Sequence, residues 1–205
     1  MIGVVDYGIG NLRSAEKALE ALGVDAALVD DADQLRRAAG VVLPGVGAFG
    51  RCREALADSG LEAAVVDVLE RGTPFLGICV GFQLLYEGSA ESPATPGLGY
   101  FSGQVERLSA SEKVPQMQWN CLERRGDRPS QLLEGEVDPW VYFVHSYAPP
   151  LGPETVATCD YGGPVAALAE QGTVFGAQFH PEKSGPTGLR ILERFCRLVG
   201  EHAWS

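Results

Sequence analysis

No apolar run in this 205-residue sequence approaches the ~20 residues needed to cross a bilayer, and no basic stretch leading into an apolar one stands before the first strand-like segment at Ile2. A membrane partner and an export signal are therefore not expected. Positive charge is scarce: 16 Lys and Arg face 27 Asp and Glu, for a formal net charge of -11. The field of such a molecule repels phosphate backbones and anionic lipid, which argues against nucleic acid as a partner. Disulfide chemistry also lacks its usual marks. The five cysteines, at positions 52, 79, 121, 159 and 196, include no C-x-x-C pair, and an odd number cannot all pair within one chain. Free thiols in a reducing cytoplasm fit this usage, most of them serving as small apolar packing residues. Neither an internal repeat nor a low-complexity linker divides the sequence, so one domain over residues 1–205 is expected. A domain of this size buries roughly 70% of the surface its unfolded chain exposes.

The first half alternates short β-branched runs with helical patterns, which predicts an α/β fold with a mostly parallel sheet and helices on both faces. Ile2 to Val5 reads as a strand, and Leu12, Ala15, Leu19 and Leu22 recur at helical spacing before Gly23. Val24 to Val29 and Val41 to Leu43 read as strands around a short helix at Asp33 to Ala39. Helices follow at Cys52 to Ala57 and Leu61 to Leu69. Pro74 to Ile78 is then an apolar strand ending at Cys79. Beyond a Pro-, Gly- and Ser-rich connector at 89–103, the runs Trp140 to Val144, Thr155 to Cys159, Val165 to Glu170 and Val174 to Phe179 predict an antiparallel extension of the same sheet. A helix over Leu189 to Val199 closes the pattern.

Three segments carry chemistry. GICVGFQ at 77–83 sets a cysteine between two glycines at a strand-to-helix junction, the layout of a nucleophile elbow. Peptide dipoles and free N–H groups at such a junction favour a thiolate. Taken alone, the segment is equally a buried cysteine at a tight turn. QFHPEKS at 178–184 supplies His180 and, two residues on, Glu182, which share a side of an extended chain. A carboxylate beside an imidazole fixes its tautomer and stabilises the imidazolium; in isolation the pair is a surface histidine near a solvated glutamate. PGVG at 44–47 follows a strand, and N–H groups of Val46 or Gly47, with that of Val80, could hold an oxyanion, although a simple tight turn has the same sequence.

Together, and in this order, the three segments resemble the triad glutaminase domains of class I amidotransferases. DYGIGNL at 6–12, PGVGAFG at 44–50, GICVGFQ, MQWN at 117–120, YFVHSY at 142–147 and QFHPEKS narrow the resemblance to the glutaminase subunits of imidazole glycerol phosphate synthase, over nearly the whole chain. The resemblance implies Cys79 as nucleophile, His180 as base and acid, and Glu182 as its orienter. It implies an oxyanion turn at Gly45, Val46 and Gly47 with Val80, and a glutamine site at Gln83 and the backbone near Ser146 and Tyr147. It also places Trp119, Asn120, Tyr142 and Lys183 at or near the interface with a (β/α)8 synthase subunit that takes up the ammonia in histidine biosynthesis. No cofactor or metal is implied. Two related readings share parts of this pattern: the glutaminase subunit of pyridoxal phosphate synthase, which YFVHSY and QFHPEKS disfavour, and a catalytically silent regulatory subunit. The sequence departs from the family pattern in VPQMQWN, where VPHMGWN is usual. Glutamine resists backbone conformations that glycine allows, so Gln118 bears on the shape of that loop. Val80 and Phe82 stand for the usual Leu and Met of the elbow, a change of volume only.

Overall fold

The computed structural model describes residues 1–109, 111–126 and 128–203, so Ala110, Asp127 and the last two positions of the expected 1–205 domain lie outside the described residues. The first part alternates as predicted: β1 (Ile2–Val5), α1 (Leu12–Ala21), β2 (Ala26–Val29), α2 (Ala32–Arg36), β3 (Gly40–Gly45), α3 (Phe49–Asp58), α4 (Glu62–Glu70), β4 (Phe75–Cys79) and α5 (Val80–Gln83). The connector and second half hold β5 (Gly88–Ser89), β6 (Gln104–Arg107), β7 (Gln116–Cys121), β8 (Glu123–Arg124), β9 (Trp140–His145), β10 (Tyr147–Ala148), β11 (Thr155–Asp160), β12 (Pro164–Gln171) and β13 (Val174–Ala177). A short 3-10 turn at Pro181–Lys183 then leads into α6 (Gly185–Ala203).

The main sheet has eight strands in the order β2-β1-β3-β4-β13-β12-β11-β8. β2, β1, β3, β4 and β13 run parallel, and β12, β11 and β8 extend the sheet antiparallel. Strands covered on both sides need no polar alternation, and β1, β3, β4 and β13 are buried at every residue. Two glycines show that helices lie on opposite faces. In the β1–β3 ladder Ile2 pairs with Gly40 and Gly3 with Val41, so Gly3 and Gly40 face opposite sides. A Cβ on Gly40 would sit 2.4 Å from Val199 of α6, whereas one on Gly3 would meet Leu35 of α2 at 3.3 Å.

One expectation is corrected. Trp140 to Val144 forms a strand, but it does not extend the main sheet: β9 pairs only with β7, in a separate antiparallel ribbon. A two-residue period shows which side chains share a face, not which strand lies alongside. A third small sheet joins β10, β6 and β5. Gln118 occupies a regular position in the ribbon opposite Phe143 and does not need the backbone freedom of glycine.

Candidate active site

β4 and α5 meet at Cys79, whose backbone is at φ 55° and ψ -112°. Only one other non-glycine among the described residues, Asp138, has a positive φ. Strained backbone of this kind persists only where its surroundings over-determine it. Two close approaches do so here. A Cβ on Gly81 would fall 1.8 Å from the Leu43 carbonyl oxygen, and one on Gly77 would fall 2.8 Å from that of Gly81. The G-x-C-x-G spacing is therefore imposed by backbone packed on backbone. The helix after the elbow is a single turn over Val80–Gln83, so free N–H groups contribute more here than an axial dipole.

The elbow opens into a cleft of about 570 Å³ bordered by Cys79, Val80, Gln83 and His180. Val46, Gly47, Ser146, Tyr147 and Lys183 lie on the same walls. Such a volume suits an amino-acid-sized ligand. Gly47 is at φ 86°, which supports the glycine-dependent turn. Gly45 backs onto the elbow instead of the cleft: a Cβ there would lie 2.5 Å from the Gly81 nitrogen. Its smallness lets the PGVG turn and the turn at Cys79 touch.

His180 and Glu182 are 101 and 103 positions beyond Cys79, yet His180 reaches the same cleft because β13 pairs with β4, Ala177 beside Ile78. The two residues do not share a face of an extended strand. β13 stops at Ala177, and Pro181 starts the 3-10 turn, which brings Glu182 back beneath the ring. Glu182 Oε1 lies 2.8 Å from His180 Nδ1, and both side chains are buried. Asn11 Nδ2 donates to the same oxygen at 3.1 Å. The other ring nitrogen, Nε2, has no hydrogen-bond partner, and His180 and Cys79 border the same cleft. Burial works against the imidazolium, and interactions with Cys79 and then Glu182 outweigh it, so the His180 pKa rises to about 9. Burial likewise opposes the Glu182 carboxylate, while His180 and Asn11 hold its pKa below the usual carboxylate value.

The remaining predicted residues divide. Gln83 Nε2 donates to the Tyr147 carbonyl at 2.8 Å, so Tyr147 anchors the Gln83 side chain as well as lining the cleft. Trp119 and Tyr142 face each other across the ribbon, ring centroids 6.2 Å apart, with Trp119 exposed; neither borders the cleft. Asn120 is tied locally, donating to the Asp160 carbonyl at 2.8 Å and accepting from the Cys121 amide at 2.9 Å. Gln116 is fully buried, its carboxamide oxygen 2.9 Å from His145 Nε2. Sequence reasoning gave Asn11, His145 and Gln178 no role at the site, although each stands in a quoted motif. Membership of a motif was the one signal available for them.

The family described as glutamine amidotransferase class-I matches residues 3–199. Among curated relatives, an imidazole glycerol phosphate synthase subunit HisH from Geobacillus kaustophilus is 47% identical over 97% of each chain. A protein of the same description from Deinococcus radiodurans is 46% identical, covering 95% of this chain and 92% of its own. A solved structure described as a glutamine amidotransferase superposes with a TM-score of 0.77 at 26% identity, over 97% of this chain and 98% of that one. With the elbow, the paired imidazole and carboxylate, and a match over nearly its whole length, this chain belongs to the class I glutamine amidotransferase family.

Proposed function

We propose that the protein is the glutaminase subunit of an imidazole glycerol phosphate synthase, hydrolysing glutamine and passing the ammonia to a synthase partner in histidine biosynthesis. Near full-length similarity to the HisH subunits supports this reading over a pyridoxal phosphate synthase subunit. The single observation that carries the chemistry is the meeting of Cys79 with a His180 that Glu182 backs, at one cleft. Residues 1–205 are read as one amidotransferase domain, supported by the family match over 3–199.

In the first half-reaction Cys79 gives its proton to His180 as its sulfur attacks the side-chain carboxamide carbon of glutamine, and N–H groups of Val46 or Gly47 and Val80 stabilise the oxyanion. The carbon–nitrogen bond then breaks as His180 gives its proton to the departing nitrogen, leaving ammonia and a γ-glutamyl thioester. In the second half-reaction water adds to the thioester, His180 takes its proton, and glutamate leaves with the thiol restored. Ammonia released to solvent becomes mostly unreactive ammonium, so direct transfer is required. The acceptor is a (β/α)8 synthase subunit, with Trp119, Tyr142, Asn120 and Lys183 at or near the contact. The acidic charge of this chain leaves binding of a phosphorylated acceptor to that partner. Five unpaired thiols are in keeping with a reducing cytoplasm.

Glutamine hydrolysis measured with and without the cognate synthase and its nucleotide ligand tests the proposal. The native complex should turn over glutamine and C79A should fall to background. Activity indifferent to the partner would overturn the coupled reading, and an inactive native complex would favour a silent regulatory subunit.

A further inference from the structure

Gln178 sits between the end of β13 and His180, is fully buried, and has no part in the mechanism above. Its carboxamide spans two elements of the site. Nε2 lies 3.7 Å from Cys79 Sγ, and Oε1 accepts from Gln83 Nε2 at 3.0 Å.

A main-chain carbonyl determines which end of that carboxamide faces the sulfur. The Gln83 side-chain nitrogen is 2.8 Å from the Tyr147 oxygen, which can only accept, so this end of Gln83 is its NH2 group. The second hydrogen of that group needs an acceptor, and Gln178 must present its oxygen to it. The Gln178 NH2 is thereby turned toward Cys79. Reversing the amide would oppose two NH2 groups in a buried site, where unpaired donors are costly. The Tyr147 carbonyl is itself anchored, since His145 Nδ1 lies 2.9 Å from it. The thiol also reaches the Val144 carbonyl, at 4.0 Å. On losing its proton the sulfur gives up that donation and gains in its interaction with an N–H group, because hydrogen bonds to charged acceptors are the stronger kind.

We propose that Gln178 is a positioning residue for the nucleophile, donating through one carboxamide to the Cys79 sulfur and fixing, through its other end, the orientation of Gln83 in the glutamine pocket. The proposal rests on Cys79 being the nucleophile. It separates two effects that one substitution can divide. Q178E keeps an acceptor for Gln83 and sets a carboxylate oxygen in place of the donor; Q178M removes both functions without adding charge.

The test is the rate of iodoacetamide alkylation at Cys79 as a function of pH, read by mass spectrometry on its peptide, together with kcat and KM for glutamine in the synthase complex. In Q178E the alkylation rate at pH 7 should fall about tenfold and its pH midpoint should rise, with kcat reduced by a similar factor and KM little changed. Q178M should lose kcat and also raise KM, and it carries the alkylation test if the glutamate variant does not fold. Alkylation profiles and kcat at native values in a folded variant would overturn the role of Gln178. Glutamine hydrolysis surviving in C79A would instead remove the nucleophile on which it depends.

Discussion

His180 holds its proton through a balance that single substitutions can tip. Since contact with the Cys79 sulfur is the foremost influence raising its pKa, C79A should lower the midpoint of the His180 ring, followed by NMR, from about 9 toward the ordinary imidazole value. The sign of the stability effect follows. A folded-state pKa above the unfolded value of about 6.5 means the folded protein binds the proton more tightly. The contribution is complete below about 6.5 and is lost as pH rises through about 9. Denaturant midpoints should therefore decline over that window more in the native protein than in H180N. Behind the ring, Glu182 Oε1 accepts from Asn11 while Oε2 has no partner, so N11A should cost about tenfold in kcat/KM for glutamine, in line with loss of one hydrogen bond to a charged group. A kcat/KM at the native value would refute that role. That Cys79, His180 and Glu182 come together was legible only from their motifs read jointly, since each segment alone admits a purely structural reading. Asn11 and Gln178 were not legible, since the contacts that define them span 171 and 99 positions and no local pattern reveals such pairings.

At the scale of elements, the elbow is held by crowding more than by attraction. G81A would drive a methyl group into the Leu43 carbonyl, a backbone atom that cannot swing aside, and should destabilise the fold by about 3 kcal/mol, measured by denaturant unfolding. An unchanged midpoint would mean that β3 and β4 yield more readily than their packing suggests. The turn after β13 is as consequential and was misread, because an i, i+2 pair shares a side in a strand and is also brought together by a 3-10 turn begun at proline. The parallel core was legible from its continuous apolar runs. The β7–β9 ribbon was not: β7 buries Gln116 while exposing Met117, Gln118 and Trp119 in succession, a pattern of neither period.

The whole molecule combines an acidic surface with that exposed apolar stretch, and no described helix is long and apolar enough to cross a membrane. Met117 and Trp119 stand out near a cleft whose product must not reach solvent, and aromatic side chains in such positions dominate binding energy. W119A should weaken association with the synthase about thirtyfold, as titration calorimetry would show, while leaving the fold intact; unchanged affinity would move the interface elsewhere. The ribbon is also fastened to the catalytic turn. The His180 amide donates to the Tyr142 carbonyl at 3.0 Å, the Tyr142 amide donates to Ser184 Oγ at 3.0 Å, and that hydroxyl donates to the His180 carbonyl at 2.6 Å. Peeling the ribbon away thus unlatches the imidazole's own backbone. Deuterium should enter the amides of Tyr142 and His180 at a common rate, and a bound partner should slow both together.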